Sequence, residues 1–125
     1  MNDWFILSSG LLAALTAVVH LIAGGKDVAA PLLQSSLDEV VKLTLYACWH
    51  LVSVCLVLSS LALLSNGIGL VNSPPMVAFI SALWILFGVV FLVITVGVAK
   101  PQGLFRLPQW ILLVPVGLLG LYGIA

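Results

Sequence analysis

Charge is nearly missing from this chain. Four basic and four acidic side chains, 6% of 125 residues, leave a net charge of zero, whereas soluble domains carry roughly 25% charged residues. Such a chain cannot cover its surface with charge, and it has no basic excess with which to neutralise the phosphates of nucleic acid. Acid is absent where it would matter most. Asp3, Asp27, Asp38 and Glu39 all lie outside or at the edges of the apolar runs. This argues against carboxylate-driven proton coupling, which needs an ionisable group at depth. No Gly-rich phosphate loop, Cys-x-x-Cys, His-Glu-x-x-His or Gly-x-Ser-x-Gly occurs, so the usual nucleotide, redox, zinc and serine-nucleophile signatures are missing. The only cysteines, Cys48 and Cys55, fall on one face of one helix and cannot easily bridge each other. They read as small apolar residues.

What the chain does contain is apolar: 63% of its residues are hydrophobic and its mean hydropathy is +1.33. A spanning helix needs about 20 mainly apolar residues, and four segments meet or approach that. The first runs from Trp4 to Ala23 and stops at Gly24-Gly25. The second runs from Leu37 to Leu64, the third from Met76 to Val98 behind Pro74-Pro75, and the fourth from Gln109 to Ala125. Pro115 lies inside the fourth and frees the carbonyl of Ile111. The early run lacks the positive n-region of a signal peptide, Asp3 being its only charge, so it reads as a retained first helix. The expectation is one domain over 1–125: an all-α membrane protein, four transmembrane helices in an antiparallel up-down bundle.

Orientation follows from the basic residues. Lys26 and Lys42 flank the first connection, and Lys100 and Arg106 lie between the third and fourth helices. The positive-inside rule then puts loops 1 and 3 in the cytoplasm and both termini on the periplasmic side. In loop 1, Pro31 suits the first turn of a short interfacial helix, and Ser36 with Glu39 fits a capping box opening the second helix. Asp38 and Glu39 then sit in its first turn, where the helix dipole favours anions.

Without a hydrophobic drive between helices in lipid, interfaces collect small and hydroxyl residues. Ser9, Ala13, Thr16, Ala17 and His20 form such a stripe on the first helix, and Ala47, His50, Ser53, Val57 and Ser60 on the second. Ser81, Gly88 and Thr95, with Trp84 between, mark the third, and Gly117, Gly120 and Gly123 the fourth, where they are candidate helix-packing positions. Trp4, Trp110 and Tyr122 lie near span ends, as interfacial anchors do.

The two histidines are the candidate site. His20 falls about 5 Å and His50 about 12 Å inside the expected cytoplasmic boundary at 1.5 Å per residue, on helices adjacent in sequence. A histidine facing lipid is costly, so both are expected to face inward. Tyr46, Trp49 and Thr16 are the neighbours that could share a ligand with them. Two imidazoles are an incomplete zinc site, though they could serve a haem axially; metal or haem is thus possible, and no cofactor is required. The pattern H-x3-GG, then PLL, then WH, between His20 and His50, resembles a group of small uncharacterised four-span membrane proteins of bacteria. That resemblance implies a bacterial inner membrane and brings no activity with it.

The favoured expectation is a non-enzymatic small inner-membrane protein, a subunit or interaction partner of a membrane assembly. Its partners would be the lipid bilayer and another membrane protein, or a second copy. The alternatives are a membrane-embedded ligand-binding protein using His20 and His50, and an oligomeric carrier or channel.

Overall fold

A computed structural model describes residues 1–98 and 104–125. Among them the chain is all-helical, with no strand. The elements are α1 (Asp3–Val19), a π-helical segment (His20–Ala29), α2 (Ala30–Gln34), α3 (Glu39–Gly67), α4 (Pro74–Val98) and α5 (Trp110–Ile124). The first three form one unbroken helical rod, so there are four rods. Three of them, Asp3–Gln34, Glu39–Gly67 and Pro74–Val98, are long and apolar enough to cross a membrane, and α5 is shorter.

The first rod corrects two sequence expectations. Gly24 and Gly25 do not stop it, because a glycine stop needs the left-handed conformation. Among the described glycines only Gly69 has a positive φ, 76°. Instead the turns widen, and the amide of Ala30 bonds back to the carbonyl of Gly25 five residues earlier. Pro31 does sit in the first turn of a short helix, α2, but that helix continues the first rod without a break. The capping box is also not formed. Asp38, not Ser36, caps α3, its Oδ1 accepting from the amide of Val40 at 3.0 Å. At the other end α3 continues past Leu64 to Gly67. Lys100 lies outside the described residues, whereas Arg106 is described and exposed.

In space the rods pack in the order α3, α1, α5, α4. Close approach depends on glycine. A Cβ on Gly67 of α3 would lie 2.6 Å from Leu7 Cα, and one on Gly10 would lie 2.8 Å from the Leu64 amide nitrogen. On α5, a Cβ at Gly117 would collide with the carbonyl oxygen of Ser81, at Gly120 with the Ser81 hydroxyl, and at Gly123 it would lie 2.5 Å from Ile6 Cγ1. Ser9 adds a hydrogen bond from its Oγ to the Val116 carbonyl, 2.7 Å. The amide of Asn2 donates to the carbonyl of Gly123 at 2.6 Å, which brings the two ends of the chain together. The rods α3 and α4 meet little along their backbones. Trp84, wholly buried, spans the gap and donates its indole N–H to Ser59 Oγ at 2.9 Å.

The buried positions of α1, α4 and α5 include the small-residue stripes on those helices. On α3 the expected stripe is buried only in part, at Ser53 and Ser60. Ser53, Leu56, Ser60, Leu63 and Gly67 are buried, whereas Ala47, His50 and Val57 are exposed. Ser53 lies at the edge of the buried face, and His50, three residues earlier, lies about 60° further round at 3.6 residues per turn, which turns it outward.

Burial is also uneven along the rods. From Val18 to Val52 the one buried residue is Ala29. Gly120 and Gly123 of α5 meet Ser9, Ile6 and Asn2 at the start of the first rod, far from the π-helical segment. At that end the first rod and the N-terminal half of α3 pair largely with each other, as an arm with little cover.

Candidate functional site

Both histidines lie on this arm, and one indole touches both. His20 opens the π-helical segment, and its ring stacks on Trp49 of α3 with centroids 4.6 Å apart and planes at 19°. Tyr46, one turn before Trp49, holds its ring parallel to the indole, at 4° and 6.4 Å. The His50 ring stands nearly perpendicular to both, 4.6 Å from Tyr46 and 4.9 Å from Trp49. His20, Tyr46 and Trp49 are half-buried, and His50 is exposed. The expectation that both histidines face inward therefore fails for His50. Each histidine meets Trp49 rather than the other imidazole.

The indole lies beside Gly24 and Gly25 of the first rod. A Cβ on Gly24 would be in ordinary contact with Trp49 Nε1 (3.7 Å) and His20 Nδ1 (3.9 Å), and one on Gly25 with Trp49 Cη2 (3.9 Å). Without those side chains, the edge of the indole runs along the wide turns of the π-helical segment. Such turns are rare and frequently mark functional sites.

Hydrogen bonding fixes the His20 ring. Its Nε2 lies 3.0 Å from Ser53 Oγ, and Ser53 donates its own proton to the Trp49 carbonyl at 3.1 Å. The neutral tautomer that fits a Ser53 proton placed on the Trp49 carbonyl has Nε2–H donating to Ser53 Oγ and Nδ1 as an acceptor. Trp84 and Trp110 place their indole N–H groups on Ser59 Oγ and the Leu104 carbonyl. The Trp49 N–H and His20 Nδ1 have no such partner among the described residues, though both face Gly24. Thr16 lies one turn before His20, and its hydroxyl bonds to the Leu12 carbonyl of its own helix at 2.8 Å. It takes no part in the cluster.

Two shallow apolar grooves flank these rings. One, of about 370 Å³, lies between the first rod and α3 and is lined by Val28, Leu32, Leu45, Cys48, Trp49 and Val52. The other, of about 330 Å³, runs over Ser53, Val54, Val57 and Leu58. Among the described residues no three His, Cys, Asp or Glu side chains come together, and a structural zinc site takes four such ligands.

Ser53 and Gly24 were read from the sequence as a stripe residue and a helix stop, not as members of the site. Ser53 carries a signal that could have found it: it follows Trp49 by one helical turn, on the same face as Leu56 and Ser60. Gly24 carries none, since it reads as a helix stop. Comparison of the chain with protein-family models, curated proteins and solved structures returns no match.

Proposed function

We propose that the protein is a multi-pass protein of a bacterial inner membrane, a non-enzymatic subunit or partner of a larger membrane assembly. Its rods would form an antiparallel bundle with both termini periplasmic. The observation that carries this reading is the uncovered arm. Leu43, Leu51, Val54 and Leu58 of α3 are all more than half exposed, and His50 is exposed among them. Apolar residues at such positions suit lipid or protein alike, but an imidazole facing hydrocarbon is costly. A neighbouring membrane helix that hydrogen-bonds His50 removes the cost.

The test is a photo-crosslinking residue placed at Leu51, 69% exposed, in the cells that make the protein. A discrete adduct with one larger membrane protein, or with a second copy, is the expected result. Adducts with lipid alone would overturn the reading. A second reading, ligand binding through His20 and its neighbours, is favoured by one specific observation, the unpaired donor and acceptor facing Gly24.

A further inference from the structure

We propose that the face of the arm at Gly24 binds the hydroxylated aromatic head of a lipid-soluble quinol. This rests on the ligand-binding reading and names its ligand class. Trp49 Nε1–H is a donor and His20 Nδ1 an acceptor; they belong to stacked rings, and both lie within 4 Å of the point where a Gly24 side chain would begin. The absent side chain leaves that point open. A hydroxyl beside it can accept from the indole N–H and donate to the imidazole nitrogen at once, satisfying both. Neither atom is among the fully buried unpartnered ones, so both are open to a ligand approaching the arm.

The surroundings narrow the class. The head would abut the edges of two stacked aromatic rings, which suits an aromatic ring over an alkyl alcohol. Trp49 also lines the shallow apolar groove between the first rod and α3. That groove offers the hydrophobic tail a path along Val28, Leu32 and Val52. Hydroxyl matters more than carbonyl here. An oxidised quinone can accept from Trp49 but has nothing to donate to His20 Nδ1, so the reduced form is the better fit. No electron transfer is involved; the proposal is one of binding.

The probe is decyl-ubiquinol, held reduced, against purified full-length protein in phospholipid nanodiscs, with ligand retention measured against empty nanodiscs. Saturable binding of one quinol per chain is expected, with decyl-ubiquinone roughly three- to tenfold weaker for want of one hydrogen bond. Trp49→Phe, which keeps the ring and loses the N–H, should weaken quinol binding by a similar factor. Gly24→Ala is the variant that guards against misfolding, because its Cβ makes only ordinary contacts; it should keep wild-type thermal stability and lose affinity. Retention equal to that of empty nanodiscs, equal affinity for both oxidation states, or equal retention of dodecanol would overturn the proposal. Haem or metal bound in place of quinol would also overturn it, while leaving the ligand-binding reading standing.

Discussion

Alanine at Gly117 separates steric fit from helix propensity, because the two effects have opposite signs. In a helix interior Gly→Ala is worth up to about 1 kcal/mol in favour of alanine. Against this stands the opposing helix. The new Cβ would collide with the main-chain oxygen of Ser81, and it would lie 2.5 Å from Ile85 Cγ1 and 3.1 Å from the Ile85 amide nitrogen. Backbone cannot rotate away, so α4 and α5 must separate, and overpacking of this kind costs about 1–3 kcal/mol. The net expectation is a loss of about 1–2 kcal/mol for Gly117→Ala. Gly120→Ala meets a serine hydroxyl, which can turn about its own side-chain bond, so its loss should be smaller. Gly97→Ala has nothing within 4 Å and should be neutral or slightly stabilising. Equilibrium unfolding in mixed detergent micelles, followed by far-ultraviolet circular dichroism, gives the three values on one scale. If Gly117→Ala proved as stable as the parent, or Gly97→Ala the worst of the three, the close packing of α5 on α4 would be refuted.

Gly120→Leu, with no room for its branch between Ser81 and Ser9, should lose more than about 3 kcal/mol and broaden the size distribution in detergent. Ser59→Ala leaves the buried Trp84 indole N–H without its acceptor and should cost about 1–3 kcal/mol in the same unfolding assay. Adding Trp84→Phe should then cost less than it does in the parent, as a double-mutant cycle would reveal. Reporter fusions at the two ends of the chain should both be active only as periplasmic reporters, as Lys26, Lys42, Lys100 and Arg106 imply; cytoplasmic activity at either end would reverse the assignment.

The rods were legible in the sequence because long apolar runs have few alternatives, and three inward faces were legible because small residues recur at helical spacing. The arm was not legible, for a physical reason. Periodicity is read at 3.6 residues per turn, and the segment from His20 to Ala29 does not keep that pitch. Gly24-Gly25 looks like a stop when its neighbours are unseen; in the structure it lies inside the first rod, beside the indole of Trp49. The outward turn of His50 escaped for a related reason. Placing histidines by the cost of lipid exposure assumes that four rods surround them, and here α5 is too short to reach. Ser53, by contrast, was already on the stripe, and what the sequence could not supply was its bond to His20.

The hydrogen bond between Asn2 and Gly123 has a consequence for how the covalent chain relates to the fold. Residues this close can be joined by a short linker, the condition under which circular permutation of the helical unit 2–123 is tolerated. The natural place to reopen such a ring is the turn between α3 and α4. Ile68, Gly69, Leu70 and Val71 are exposed there, and Gly69 supplies the left-handed bend. A permuted chain would enter at α4 and leave through α3 while keeping every helix contact described here. It would carry its new ends on the same side of the molecule as the old ones, since Gly67 lies against Leu7. The order of the rods along the chain is then separable from their order in space.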